Sequence, residues 1–178
     1  MNEVVVLDKR FRELITENEI NKRIAEIAKE INRDFSGRDV VFLGILNGAF
    51  LFAAELIKRI NLRARISFVK LASYEGTSSS GTIKELIGWN EEIKGMEIII
   101  IEDIVDTGST LERIVDELNI RKVAAVKVAA LLLKPDAYTK DIPLDYVGFE
   151  IPNDFVVGYG LDYNGYGRNL TSIYTLIT

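Results

Sequence analysis

Residues 98–110 read IIIIEDIVDTGST, and no other stretch constrains the fold as tightly. Four consecutive isoleucines suit a short strand buried on both faces, the environment of a parallel sheet. The run ends in two carboxylates, Glu102 and Asp103, followed by Asp106 and the small polar loop Thr107-Gly108-Ser109-Thr110. Leu111, Ile114, Val115 and Leu118 then recur at helical spacing. The expected order is strand, acidic loop, helix start. In open α/β sheets ligands bind beyond the carboxyl ends of the strands, where such a loop would lie.

The rest of the chain repeats this alternation. A short strand is expected at 4–7. Thr16 and Glu19 form a capping-box signature ahead of Ile20, Ile24, Ile27, Ile31 and Phe35, which follow at helical spacing. Further strands are expected at 40–46, 65–71, 123–133 and 145–151, a second helix at about 49–60, and a last strand at 172–177. Residues 73–82, SYEGTSSSGT, form the one low-complexity stretch. Its Gly and Ser content reads as a flexible loop of the length often used for lids or binding loops. Strands alternating with helices predict an α/β fold, a mostly parallel sheet covered on both faces. With 178 residues, no internal repeat and no linker, the chain reads as a single domain.

Composition narrows the chemistry. With no cysteine and no histidine, disulfides, thiolate nucleophiles, Ser-His-Asp and Cys-His mechanisms and His- or Cys-ligated metals are all excluded. Carboxylate, lysine, tyrosine and backbone chemistry remain, with a hard oxygen-bound cation such as Mg²⁺ as the metal to expect. A formal net charge of −5 argues against a general nucleic-acid or membrane-surface binder. No segment nears the roughly 18 apolar residues of a membrane span. No secretory signal is visible, so a cytoplasmic location is expected.

The loop at 106–110 can offer backbone N–H groups and three hydroxyls at a helix N-terminus, a natural seat for a phosphate monoester. Alone, Thr-Gly-Ser-Thr is more often an ordinary helix cap. The adjacent Glu102-Asp103 pair shifts that balance, because two carboxylates at the end of a buried strand need a partner. A ribose diol, a Mg²⁺ ion or a basic side chain would serve. Neither a Walker A sequence nor a dinucleotide-binding G-x-G-x-x-G is present in a suitable context.

The run from Glu102 to Thr110, EDIVDTGST, resembles the phosphoribosyl pyrophosphate signature of the type I phosphoribosyltransferases. Leu46-Asn47-Gly48-Ala49, Ser73-Tyr74, Lys134, Gly148-Phe149-Glu150-Ile151-Pro152 and Asp162-Tyr163-Asn164 are similar, in order and spacing, to its hypoxanthine (6-oxopurine) branch. The resemblance covers nearly the whole chain. It implies a core at about 36–151 and a small hood from about 1–15 and 152–178. It also implies Mg²⁺-dependent transfer of 5-phosphoribosyl from phosphoribosyl pyrophosphate to N9 of hypoxanthine or guanine. Its partners would be small-molecule substrates, neither nucleic acid nor membrane, and the assembly a homodimer or homotetramer.

The resemblance also distributes roles. Glu102 and Asp103 would hold the ribose hydroxyls, directly or through Mg²⁺, and Asp106, Thr107, Gly108, Ser109 and Thr110 the 5′-phosphate. Asp106 would in addition exchange a proton with purine N7. Leu46, Asn47 and Gly48 would contact pyrophosphate, in this family often through a non-proline cis peptide, as would Arg168. Ser73 and Tyr74 would open a lid. Lys134 would donate to the base O6, Phe155 would stack on the purine, and Val156 and Ile104 would complete the base site. Asp162 would stand at its edge and ligate a second Mg²⁺. Many relatives carry Lys or Arg where this chain has Asn47, so a backbone contact there is retained but a side-chain ion pair is not.

Overall fold

The computed structural model of the chain describes residues 2–71, 85–87 and 92–177. Its larger sheet contains β3 (Asp39–Leu46), β4 (Arg63–Leu71), β5 (Glu85–Ile87), β6 (Glu97–Val105), β7 (Ala125–Leu133) and β8 (Tyr146–Glu150). They lie in the order β5-β4-β3-β6-β7-β8, all neighbours parallel except β5 against β4. Helices α1 (Glu17–Asp34), α2 (Phe50–Ile57) and α3 (Ser109–Ile120) cover it. This is the expected α/β architecture.

Alternate residues of the central strands feed two cores. Phe42, Ile99, Ile101, Ala129 and Leu131 pack with Ile20, Ile24, Ile27 and Ile31 of α1 and with Phe52 and Leu56 of α2. Val41, Leu43, Ile98, Ile100 and Val128 pack with Leu111, Ile114 and Leu118 of α3. All four isoleucines of β6 are buried, each stabilising the fold by about 1.5–3 kcal/mol. At the start of α1, Thr16 Oγ1 accepts from Glu19 N at 3.3 Å, and Glu19 Oε2 accepts from Thr16 N at 2.9 Å. The capping box is therefore closed in both directions.

A second, antiparallel sheet joins the two ends of the chain in the order β1-β2-β10-β9. It comprises β1 (Glu3–Val6), β2 (Lys9–Ile15), β9 (Val156–Val157) and β10 (Ile173–Leu176). Val6, Phe11, Val157 and Tyr174 form its own small core. The strand β2 was not apparent in KRFRELI, where charged side chains outnumber the two that are buried, Phe11 and Ile15.

One expectation needs correction. The strand does not end at Ile101, so Glu102 and Asp103 are not loop residues but lie within β6. Pairing with β7 sustains the extended backbone past the acids, through Ile104↔Leu132 and Val105↔Leu133. Pairing with β3, on the other edge, stops at Gly44↔Ile101.

Candidate active site

That asymmetry in pairing opens a crevice. From β3 the chain crosses to β4 on one side, and later enters β6 on the other, so the strand order reverses between β3 and β6. Ligand sites in open α/β sheets lie at such switch points. Here the carboxyl end of β3 runs into the Leu46–Asn47 peptide, which is cis, and then Gly48. A Cβ at Gly48 would fall on the Asp103 carboxylate, so the bare backbone of one strand end is pressed against the acid of the other.

Glu102 is almost fully buried and its Oε2 has no hydrogen-bond partner. Loss of water, then the neighbouring Asp103 charge, pushes its carboxyl well above the ordinary range. Burial also raises Asp103, which is partly relieved by hydrogen bonds from backbone N–H groups and from Glu102 and by the positive field of Arg168. Burial therefore favours the protonated form of both acids, most strongly at Glu102.

The tail closes this side of the crevice. A Cβ at Gly160, whose φ is +101°, would strike the Gly48 carbonyl, so glycine is required both for the backbone turn and for the close approach. Arg168 Nη1 donates to the Gly160 carbonyl at 2.6 Å and Nη2 pairs with Asp162 Oδ1 at 2.6 Å. Asp162 Oδ2 accepts from Gly165 N at 2.6 Å. Gly48, Asp103, Gly160, Asp162 and Arg168 thus form one connected cluster.

The polar loop follows directly at the same carboxyl end of β6. Gly108, at φ +84°, occupies the N-cap of α3, and no side chain caps the helix there. The first-turn N–H groups are left without the Ser, Thr or Asp cap that an ordinary helix start would use. Thr107 Oγ1 and Ser109 Oγ stand 3.1 Å apart, beside Ser109 N at 3.4 Å from Thr107 Oγ1. The segment after β7 backs this loop. A Cβ on Gly108 would come within 2.6 Å of the Tyr138 ring and 2.8 Å of Lys140 Cγ. Thr139 donates to the Thr107 carbonyl through its hydroxyl at 3.4 Å and its N–H at 3.5 Å.

Asp106, about half exposed, meets Lys134 Nζ at 3.3 Å, although the Lys134 side chain is only 12% exposed. Lys134 N donates to the Val105 carbonyl at 3.0 Å, which holds the two strand ends in register. The Phe155 ring is 45% exposed and packs on Phe11 at 6.3 Å and edge-on to Tyr163 at 5.9 Å. Val156 is buried in β9 and Ile104 half-buried in β6. Ser73 and Tyr74 lie outside the described residues.

A crevice of this shape, between an acid pair and an uncapped phosphate-type loop, can be set against known proteins. The phosphoribosyl transferase domain family matches residues 13–164. The chain belongs to that family. It is 39% identical over 168 residues to the hypoxanthine-guanine phosphoribosyltransferase of Aquifex aeolicus, covering 93% of this chain and 94% of the relative. A crystal structure of a hypoxanthine phosphoribosyltransferase from Staphylococcus aureus superposes with a TM-score of 0.87 at 40% identity, covering 93% of this chain and 91% of the other. The chain is also 42% identical over 161 residues to the bifunctional protein TilS/HprT of Listeria monocytogenes. That match takes in 90% of this chain but only about a quarter of the relative's length, 25%.

Within this family setting, Mg²⁺ is the metal to test. Among the described residues no three Asp or Glu side chains converge as a metal-holding group. Mg²⁺ commonly takes one or two carboxylates and completes its shell with water and substrate oxygens. Glu102 and Asp103 fit that pattern, being oxygen donors with Glu102 Oε2 unpartnered. Asp162 is held on both oxygens by Arg168 and Gly165. Phe11, Tyr163, Tyr138, Thr139 and Lys140 were not among the candidates. Their contacts with Phe155 and with the polar loop join segments far apart in the chain, which local patterns do not register.

Proposed function

We propose that the protein is a purine-salvage transferase acting in the cytoplasm as a homodimer or homotetramer. It moves 5-phosphoribosyl from phosphoribosyl pyrophosphate to N9 of hypoxanthine or guanine, with Mg²⁺, giving the nucleoside monophosphate and pyrophosphate. The observation that carries this reading is the crevice itself. An acid pair at the switch point faces bare Gly48 backbone on one side and leads into an uncapped helix N-terminus on the other. The names of the relatives, hypoxanthine and hypoxanthine-guanine phosphoribosyltransferases, support the choice of base.

In this reading Thr107, Gly108, Ser109 and Thr110 seat the 5′-phosphate on helix N–H groups and hydroxyls. Glu102 and Asp103 take the ribose hydroxyls. Leu46, Asn47 and Gly48 contact pyrophosphate through the backbone, and Arg168 adds its charge. Lys134 donates to O6, Phe155 supplies an exposed ring for stacking, and Val156 and Ile104 line the base. Glu102 and Asp103 would hold Mg²⁺, and Asp162, released from Arg168, a second ion; bound there, the metal would supply positive charge for the departing pyrophosphate.

The C1′–oxygen bond to pyrophosphate breaks ahead of formation of the N9–C1′ bond, leaving an oxocarbenium-like sugar. Asp106 accepts the N7 proton as the base becomes the nucleophile. The enzyme's main contribution is to hold base and sugar in line. Ser73 and Tyr74 open the lid that keeps water from the sugar.

A base panel with phosphoribosyl pyrophosphate and Mg²⁺, read as pyrophosphate released, tests this. Hypoxanthine or guanine should give turnover well above adenine and uracil. Release with uracil or adenine but with no 6-oxopurine would overturn the assignment.

A further inference from the structure

Two acids flank the polar loop, and each is met by a lysine from the segment that follows β7. Asp106, before the loop, meets Lys134 at 3.3 Å. Glu112, in the first turn of α3, meets Lys140 Nζ at 2.7 Å. Only Lys134 has a place in the mechanism above. Lys140 nonetheless packs directly on the loop, its Cγ 2.8 Å from where a Cβ on Gly108 would stand. The ammonium is three bonds further along a flexible stem.

The electrostatics of the loop call for such a cation. A phosphate monoester brings close to two negative charges to a loop flanked in the chain by two acids, Asp106 and Glu112. Helix N–H groups contribute about half a positive charge. Arg168 is committed to Gly160 and Asp162 on the other side of the crevice. The Lys140 side chain is about three-quarters buried, and its segment is pinned to the loop by Thr139 on the Thr107 carbonyl and braced within itself by Tyr138 Oη donating to Ile142 O at 2.6 Å. Its backbone is thus fixed while its head group is held by one half-exposed carboxylate, an ion pair of small worth.

We infer that Lys140 is a binding residue for the 5′-phosphate of the sugar donor and of the nucleotide product, and that its ammonium leaves Glu112 for the phosphate when the site fills. The exchange replaces a surface ion pair by a charge-assisted hydrogen bond to a more highly charged group. This rests on the reading that the 107–110 loop holds that phosphate.

Lys140→Met, Lys140→Arg and Glu112→Gln separate the possibilities, with affinities for inosine monophosphate and for inosine measured by calorimetry. Lys140→Met should weaken the nucleotide about tenfold, the loss of one charge-assisted hydrogen bond, and leave inosine unchanged. Lys140→Arg should restore most of the loss. Glu112→Gln should bind the nucleotide at least as well as the unaltered protein. If Glu112→Gln weakens the nucleotide as much as Lys140→Met does, the pair is only a brace and the assignment fails. Equal losses for nucleotide and nucleoside would defeat it in the same way. An unaltered protein that prefers the nucleotide, with that preference intact in Lys140→Met, overturns the role of Lys140 alone. An unaltered protein that does not distinguish nucleotide from nucleoside overturns the phosphate reading and Lys140 with it.

Discussion

Glu102 and Asp103 share a strand end with Asp106, yet the three carboxylates live in opposite environments. The first two lie inside β6, where the protein removes their water and, among the described residues, Arg168 supplies the positive field that partly offsets it at Asp103. Asp106 lies just past the strand, half exposed, with a largely buried lysine brought to it. The difference shows that burial here follows strand pairing. Where β7 still pairs with β6 the acids are buried and pushed toward the protonated form, and where pairing ends the acid is exposed beside a cation. A buried, desolvated pair suits hydroxyls and a hard cation, both of which relieve its desolvation. An exposed acid beside an ammonium suits reversible proton exchange with a base.

The most severe test of that contrast falls on the exposed acid. Asp106→Asn preserves shape but cannot accept a proton, so turnover should fall by about 10²–10⁴ while the KM for phosphoribosyl pyrophosphate changes little. Steady-state kinetics measure both, and an undiminished kcat would remove the proton role. On the buried side, Gly48→Ala places a methyl group on the Asp103 carboxylate. The acid must swing away from β3, and kcat/KM should drop about a hundredfold, the usual consequence of misplacing a reacting group by about an ångström. Normal kcat/KM in a folded variant would mean that the approach of Gly48 to Asp103 has no part in the reaction.

These residues differ in how far they can be read from sequence. The isoleucine run announces its own burial, since an unbroken β-branched run has no polar face to turn outward. The Thr16–Glu19 capping box is equally local, closing within a single turn. The extension of β6 through Glu102 and Asp103 is not local. Acids end strands by propensity, and only the β7 ladder, formed by residues some thirty positions away, keeps them extended. The strand β2 is hidden for a related reason, because Lys9 and Glu13 share a face with Phe11 and Ile15 while Leu14 lies exposed on the other, which blurs the alternation. In the candidate site, pattern alone reaches 102–110. Gly48, Lys134 and Arg168 come into view through family resemblance, as their contacts cross long stretches of chain; Lys134 and Asp106 are separated by 28 positions. The wall at Tyr138, Thr139 and Lys140 has no sequence signature at all.

Lys134 tunes the exposed side of the comparison by a smaller step. Its ammonium offers only donors, which suits a 6-oxo group and opposes a 6-amino group. Lys134→Gln substitutes an amide that can both donate and accept. The ratio of kcat/KM for hypoxanthine over adenine should fall about tenfold, the scale of one charged hydrogen bond. A ratio that stays constant while both rates fall together would make Lys134 a support for Asp106 and leave base choice to other groups.

The smallest effect is expected on stability, and it isolates the buried pair. Glu102 titrates from an ordinary value of 4.5 when unfolded to a raised one when folded. Between the two, the folded protein holds a proton that the unfolded chain has released, so the native state loses stability as pH rises through that window. Glu102→Gln removes this proton without removing the donor, because the amide N–H₂ can still bond Asp103. In the absence of ligands and metal, the Tm of the unaltered protein should therefore decline from pH 5 to pH 7 more steeply than that of Glu102→Gln. Asp103, whose carboxyl is also raised by burial, leaves a residual slope in both proteins. Parallel Tm profiles would show that Glu102 is already ionised in the folded state. Burial would then no longer distinguish it from Asp106, and the two acid environments would have to be separated by geometry alone.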